Sequence, residues 1–180
     1  ITNYGGGNTS CKTIEKDPLT NEDVEVMWIK GSGGDIGTLT RKGIAGLYTR
    51  RLRNLKKVYG GLADEDRMVG LFNHCIYDLE SRAPSIDTPL HGLLPFKHID
   101  HLHPDALIAV AAAENNEAIT KAIWGDEMGW VPWQRPGFDL GLQLEKCLAD
   151  NPKIRGIVLG SHGLFTWGDT SLECYVNSLE

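Results

Sequence analysis

Strand-like and helix-like segments alternate along the whole of this sequence, and no other feature limits its fold as strongly. The segments rich in β-branched and aromatic residues, which predict strands, are 24–30, 98–103, 128–133, 154–159 and 164–168. The segments with apolar residues at helical spacing, which predict helices, are 64–80, 106–113, 116–124 and 136–151. We expect a hairpin-like or irregular connection over 12–23 and a loop over 82–91. The alternation predicts one α/β domain.

The composition is that of a globular protein with a proper core. The chain has 180 residues, 41% of them hydrophobic, and a formal net charge of −6. A negative charge gives no support for broad electrostatic binding to nucleic acid or acidic membranes. The sequence has neither a signal-peptide pattern nor an apolar run long enough to cross a bilayer. Its four cysteines are far apart and form no Cys-x-x-Cys pair, which favours reduced thiols. We therefore expect a cytoplasmic protein that binds neither nucleic acid nor membranes.

Two glycine-rich stretches are suited to binding an anion, because glycine lets backbone N–H groups approach it closely. The first is Gly5-Gly6-Gly7-Asn8-Thr9-Ser10, for which a mobile loop is the alternative. The second, Gly31–Gly37, directly follows a predicted strand. A dinucleotide-binding fingerprint is disfavoured there, because Ile36 takes the place of the third glycine in Gly-x-Gly-x-x-Gly and no amphipathic helix follows. We interpret this stretch as a second anion-binding turn.

The histidines are concentrated where a metal site would need them. Three of the six lie within residues 97–105, and His162 follows a predicted buried strand. On an extended strand His101 and His103 project from the same face, as two ligands of one metal ion must. Three protein ligands and an open position are typical of a catalytic zinc site. We interpret His98, on the opposite strand face from His103, as structural, and His91 as either structural or an orienting group for the site.

Five short motifs are spread over nearly the whole chain. They are Gly7-Asn8-Thr9-Ser10, Lys30-Gly31-Ser32-Gly33, the Pro-Ser-x-acid-x-x-x-His pattern of residues 84–91, His101-x-His103, and His162-Gly163-Leu164. Together, and in this order, they resemble the class II aldolase family, whose fold is shared with adducin head domains. The resemblance implies an α/β/α domain over residues 1–180, with a central, largely antiparallel or mixed β-sheet flanked by helices.

Residues 83–91 and 95–105 resemble one branch of that family in more detail. This branch is the N-terminal aldolase domain of bifunctional rhamnulose-1-phosphate aldolase/alcohol dehydrogenases, in which a short-chain dehydrogenase domain follows. We therefore expect the chain to be part of a longer protein. The resemblance implies cleavage of a ketose 1-phosphate, here L-rhamnulose 1-phosphate, to dihydroxyacetone phosphate and L-lactaldehyde. It also implies a homo-oligomer, with a tetramer among the options and sites near the subunit interfaces.

The resemblance implies a role for individual residues as well. Zinc or another divalent metal is held by His101, His103 and His162, and it acts as a Lewis acid that stabilises the enediolate formed when the carbon–carbon bond breaks. Asp87 stands at the position of the family's glutamate, which is the acid–base group. The residues that match the donors to the substrate phosphate are Asn8, Ser10, Ser32, Gly33 and Ser85.

Some features depart from the family pattern. Asp87 is one methylene shorter than the usual glutamate, Ile86 replaces a phosphate-binding serine, and the segment from Asp87 to His101 is short. The family often uses a tyrosine of a neighbouring subunit as a second acid, and no tyrosine here lies in an obviously matching motif. Two alternatives stay open: another metal-dependent sugar-phosphate lyase, epimerase or dehydratase, and a non-catalytic adducin-like binding module.

Overall fold

A seven-stranded mixed β-sheet forms the centre of the fold. The computed structural model describes residues 6–180, so Gly5 of the first glycine stretch lies outside the described residues. In chain order the strands are β1 (Asn8–Lys16), β2 (Asp23–Lys30), β3 (Ile44–Tyr48), β4 (His98–Leu102), β5 (Met128–Val131), β6 (Gly156–Leu159) and β7 (Gly163–Gly168). Their order across the sheet is β3-β2-β1-β4-β7-β6-β5. Neighbouring strands are antiparallel, except for the parallel pair β5–β6.

Helices flank this sheet. In chain order they are α1 (Thr49–Asn54), α2 (Glu65–Leu71), α3 (Thr88–Gly92), α4 (Asp105–Ala111), α5 (Asn116–Trp124), α6 (Phe138–Asp150) and α7 (Ser171–Asn177). The predicted α/β class, with a mixed sheet flanked by helices, is confirmed. Over residues 6–180, no helix combines the length and hydropathy needed to span a membrane.

The interior strand β1 is the main element that the sequence does not predict. Of the two alternatives for residues 12–23, the hairpin is correct, with Lys16 of β1 opposite Asp23 of β2. The strand already begins at Asn8, so Asn8–Ser10 are not a mobile loop, and its other edge pairs with β4, where Asn8 lies opposite His101. The hydropathy pattern does not reveal β1, because the strand carries polar side chains at buried positions.

The helix predicted over residues 64–80 ends much earlier. α2 ends at Leu71, a 3₁₀ turn covers Phe72–Cys75, and Ile76 then joins β3 through an isolated bridge. Leu79 is 90% exposed and does not belong to a buried helical face. An α-helix and a 3₁₀ turn both bring residues three apart to the same side, so apolar spacing alone does not separate them.

One loop prediction and one segment without a prediction also differ from the structure. Residues 82–91, expected to be a loop, contain the first four residues of α3, for which Pro89 in the first turn supplies a suitable backbone angle. The edge strand β3, five residues long, was not expected at all. By contrast, two short 3₁₀ turns, Ile36–Thr38 and Arg41–Gly43, follow β2 where a dinucleotide-binding fold would place a long helix. This agrees with the interpretation of Gly31–Gly37 as a turn.

Two clusters of buried apolar side chains hold α3 and α6 against the sheet. The first consists of Met27, Ile29, Ala45, Leu47, Leu52, Leu55, Met68, Phe72, Cys75, Leu93 and Phe138. The second consists of Leu90, Leu94, Ile99, Val131, Leu140, Leu144, Ile154, Ile157, Leu159, Phe165 and Trp167. Leu90 of α3 belongs to the second cluster, and Leu93, directly after α3, belongs to the first. The short helix is therefore fixed between both halves of the core.

A buried carboxylate joins α2 to the start of α6. Glu65 Oε2 accepts a hydrogen bond from the N–H of Phe138 at 2.8 Å, and Oε1 accepts one from the N–H of Asp139 at 2.7 Å. The hydroxyl of Tyr59 donates to Oε1 at 3.2 Å. The first N–H groups of a helix lack partners within the helix, and a negative charge there interacts favourably with the helix dipole. Glu65 thus caps α6 from a distant part of the chain.

We expect Glu65→Ala to lower the free energy of unfolding by about 2–3 kcal/mol, because hydrogen bonds to a buried charged group are lost and N–H groups are left unpaired. Urea denaturation measures the change. The matched control is Asp66→Ala, whose carboxylate forms an exposed ion pair with Arg135 and should contribute less than about 1 kcal/mol. Equal losses in the two variants would contradict the capping role.

Candidate active site

His101 is fixed in the middle of the sheet. It lies on β4 between β1 and β7, it is 1% exposed, and its ring stacks on Phe165 with centroids 4.5 Å apart. Its Nδ1 lies 3.0 Å from the carbonyl oxygen of Leu164, which accepts a hydrogen bond when Nδ1 carries the proton. This contact leaves the lone pair of Nε2 free for another partner.

His103 and His162 approach the free nitrogen of His101 from two other segments. His103 lies one residue beyond the end of β4, and its Nε2 is 3.0 Å from His101 Nε2. His162 lies in the turn between β6 and β7, directly after Ser161, which has a positive φ of 54°. One nitrogen from each of the three rings lies within 4.8 Å of the others. The predicted histidine triad is therefore brought together in space.

Two glycines make room for the ring of His103, and sequence reasoning did not single out either one for this role. A Cβ atom on Gly6 would lie 2.5 Å from His103 Nδ1, and a Cβ on Gly163 would lie 2.6 Å from His103 Cδ2. Both distances are shorter than side chains tolerate, so a larger residue would displace the imidazole. The available signal was the position of these glycines inside the glycine stretch and the His-Gly-Leu motif.

The histidine cluster is electrostatically suited to a cation. Burial lowers the pKa of His101 to about 3, and burial together with the charges of His101 and His103 lowers the pKa of His162 to about 4. Burial also lowers the pKa of His103. All three imidazoles are therefore neutral at pH 7, the form that binds metals. Two ligand nitrogens of a tetrahedral zinc ion are about 3.3 Å apart, close to the separation of the two Nε2 atoms.

Asp87 lies at the N-terminal end of α3 and is held by two neighbours. The Nδ2 group of Asn8 donates a short hydrogen bond to Oδ2 of Asp87, and the Ser85 hydroxyl lies 3.4 Å from the same oxygen. Burial raises the pKa of Asp87, whereas the nearby His162, the Asn8 hydrogen bond and His103 oppose that rise. Within residues 6–180, Oδ1 of Asp87 makes no hydrogen bond. Asp87 is thus a partly buried carboxyl close to the histidines, and its Oδ1 has no hydrogen-bond partner among residues 6–180.

The predicted phosphate-binding residues fall into two groups. Ser32 and Gly33 lie in an exposed loop, where Gly33 has a φ of 72° and the N–H of Ser32 donates to the carbonyl of Ala83 at 2.9 Å. This contact joins the loop to the segment that carries Ser85. Asn8 and Ser10, by contrast, are buried in β1 and bind other protein groups.

The two remaining histidines of this region lie outside the triad. His91 on α3 is fully buried, and its Nδ1 lies 2.8 Å from the hydroxyl of Ser10. His98 is partly buried, and its Nε2 lies 3.9 Å from the sulfur of Cys11. Since the metal-ligand geometry includes neither ring, the interpretation of His98 as structural stays in place.

Comparison with known proteins defines the class. Residues 1–180 match the family described as class II aldolase and adducin N-terminal domain. The N-terminal class II aldolase domain of a conserved protein from Thermoplasma acidophilum has a TM-score of 0.85 and 32% identity, covering 96% of this chain and 78% of that one. L-fuculose-1-phosphate aldolase from Thermus thermophilus has a TM-score of 0.57 and 14% identity, covering 99% and 79% respectively, which shows a shared fold alone. This chain belongs to the class II aldolase and adducin N-terminal domain family.

One relative is considerably longer than this chain. The uncharacterized oxidoreductase YuxG of Bacillus subtilis (strain 168) is 43% identical over 179 residues, which are 99% of this chain and 26% of that protein. The chain thus spans about a quarter of the length of the curated relative that it matches.

We expect the metal-free protein to lose stability in acid because of its buried histidines. The folded pKa of His101, about 3, is below the 6.5 of an ordinary histidine, so the unfolded chain takes up protons first as the pH falls. The contribution of this pKa shift to the free energy of unfolding should therefore be fully present above about pH 6.5. It should decrease below that pH, by at most about 1.4 kcal/mol per pH unit for His101. Urea denaturation between pH 7.5 and 4.5 measures this slope. His101→Gln should reduce the dependence of stability on pH, and the exposed control His74→Gln should not. An unchanged slope in His101→Gln would refute the role of His101 in this pH dependence.

Proposed function

We propose that this domain is a divalent-metal-dependent aldolase that cleaves a ketose 1-phosphate to dihydroxyacetone phosphate and an aldehyde. The observation that carries the proposal is the convergence of three neutral imidazoles beside one partly buried carboxyl, that of Asp87. Family membership supports the reaction class. We further propose L-rhamnulose 1-phosphate as the substrate and L-lactaldehyde as the aldehyde, on the motif resemblance of residues 83–105.

The histidine triad is proposed to hold the metal, with zinc as the first choice. His101, His103 and His162 supply nitrogen donors only, which suits zinc better than calcium or magnesium. When bound, such an ion supplies Lewis-acid stabilisation of the negative charge that develops on the keto fragment. The protein's own contribution is to keep these imidazoles neutral and oriented, which the Leu164 carbonyl does for His101.

Asp87 is proposed to carry the proton that the reaction needs. When the bond between carbons 3 and 4 breaks, the hydroxyl at carbon 4 loses a proton to become the aldehyde, and carbon 3 of the keto fragment gains one. A carboxyl whose pKa is raised by burial holds a proton more readily near neutral pH. Asn8 and Ser85 fix its Oδ2, so Oδ1 is the oxygen free to reach the substrate. Because aspartate is one methylene shorter than glutamate, the substrate must lie closer to α3 here than it would with a glutamate at this position.

The phosphate is proposed to bind where the exposed loop meets the Asp87 segment. Ser32 and Gly33 offer an exposed hydroxyl and a backbone with positive φ, and Ser85 lies between this loop and the carboxyl. Asn8 contacts both Ser85 and Asp87 through its amide group, and it thereby connects the proposed phosphate site to the carboxyl. Ile86 supplies no hydroxyl, so this set relies on the loop more than the usual family set does.

The wider context is proposed on the same basis. The match of this chain to a quarter of a longer protein called an oxidoreductase supports a bifunctional protein in which a dehydrogenase domain follows the aldolase domain. We also propose a cytoplasmic homo-oligomer with active sites near its subunit interfaces.

A related lyase, epimerase or dehydratase would use the same histidines, whereas an adducin-like binding module has no need of three converging imidazoles.

The metal proposal predicts about one zinc-class ion for each chain, because the three histidines form one site. We expect His101→Ala and His162→Ala to lose it, as measured by elemental analysis of the purified protein. The exposed His74→Ala is the matched control and should keep it. Full metal content in both triad variants would eliminate this site.

The acid–base proposal predicts that Asp87→Asn abolishes aldol cleavage and leaves metal bound, because an amide does not transfer the proton. The assay follows dihydroxyacetone phosphate release from a panel of ketose 1-phosphates, with and without a chelator. The exposed Asp66→Asn is the control and should retain turnover. Normal cleavage by Asp87→Asn would move the proton-transfer role to another residue.

A further inference from the structure

The buried face of β1 carries a row of three polar side chains. Asn8, Ser10 and Lys12 alternate along the strand and therefore point to the same side of the sheet. They are only 2%, 6% and 5% exposed. Apolar residues normally fill such positions, and burying an ammonium group is costly unless it is fully hydrogen-bonded. We call these three residues the polar row.

Each member of the polar row binds a different part of the segment from Ser85 to Phe96. Asn8 donates to Asp87 and, at 3.3 Å, to Ser85. Ser10 lies 2.8 Å from Nδ1 of His91. Lys12 Nζ donates to three carbonyl oxygens, those of His91 at 3.0 Å, Leu94 at 2.6 Å and Phe96 at 2.8 Å.

Lys12 is matched to its partners in number. An ammonium group has three N–H donors, and each has one carbonyl acceptor here. The His91 carbonyl lies in the last turn of α3, at the negative end of the helix dipole, and the carbonyls of Leu94 and Phe96 lie two and four residues beyond the helix. An apolar residue in its place would leave three carbonyl groups without this donor.

The polar row connects the two parts of the candidate site, which are the histidine triad and the carboxyl of Asp87. β1 is paired with β4 so that Asn8 lies opposite His101, and the same strand holds α3, which carries Asp87 at its start. α3 has five residues, too few to be stable by itself, so its position depends on what it is attached to. β1 is therefore the shared support of the carboxyl and of the first metal-binding histidine.

We propose that Ser10 and Lys12 are positioning residues that hold α3, and with it Asp87, at a fixed place relative to the histidine triad. Ser10 acts through His91, and Lys12 acts through the backbone at the end of the helix. This proposal rests on the proposed function for the role of Asp87, and it replaces the expected phosphate contact of Ser10. The hydroxyl of Ser10 is occupied by His91 and shielded from solvent.

Ser10→Ala tests the proposal, with Ser10→Thr as the conservative rescue that restores the hydroxyl. We expect kcat for ketose 1-phosphate cleavage to fall about 10- to 100-fold in Ser10→Ala, because small misplacements of a reacting group have effects of this size. KM should stay within about twofold and metal content should be unchanged, because in this proposal Ser10 contacts neither the substrate nor the metal. Thr13→Ala, which removes a hydroxyl from the other face of β1, is the control and should keep kcat.

Amide hydrogen exchange gives a second readout that does not depend on activity. In metal-free Ser10→Ala we expect faster exchange confined to residues 88–96, with the rest of the sheet unchanged. Lys12→Met should show the same pattern more strongly, with the exposed Lys16→Met as its control. Should Lys12→Met not fold, the Ser10 variants decide the question alone.

The possible outcomes separate this proposal from the proposed function. An increase in KM with unchanged kcat would make Ser10 a substrate contact and overturn the positioning role. Unchanged exchange over residues 88–96 would overturn it as well, and so would exchange that rises equally throughout the protein. If the unaltered protein cleaves no ketose 1-phosphate, the proposed function fails, and exchange confined to residues 88–96 still supports the attachment of α3 to β1.

Discussion

The antiparallel pairing of β1 with β4 is the interaction on which the rest of the site depends. It sets Asn8 opposite His101, so a strand that binds α3 on one face is hydrogen-bonded along its edge to the strand that carries the first histidine. Backbone hydrogen bonds fix the register of β1 against β4, and the two apolar clusters hold α3 on the face of the sheet. The pairing therefore links the strand whose Asn8 binds Asp87 directly to the strand that carries His101.

Desolvation gives the site its electrostatic character. Burial pushes the pKa of Asp87 up and the pKa values of the three histidines down, so burial opposes charge on both kinds of group. A divalent cation acts in the same direction on the imidazoles, which it binds in their neutral form, and in the opposite direction on the neighbouring carboxyl, whose charged form it favours. Such an arrangement is costly to build for packing alone.

The scaffold and the reaction are separate questions. A solved structure at 14% identity shares the fold of this chain, and a common fold by itself does not fix a substrate. The sequence departs from the family pattern at few positions: Asp87 stands for a longer carboxylate, Ile86 stands for a serine, and the segment from Asp87 to His101 is short.

The sequence by itself determined the α/β class, most of the helices and the identity of the three histidines, because residue spacing and local propensity are properties of short segments. It did not determine β1, whose buried positions are polar and whose stability comes from two neighbouring strands. Nor did it determine the partner of Ser10, which is 81 residues away in the chain. Only the tertiary structure decided that Gly6 and Gly163 shape the space around His103 and that Asn8 holds Asp87, since both are contacts between segments that lie far apart in the sequence.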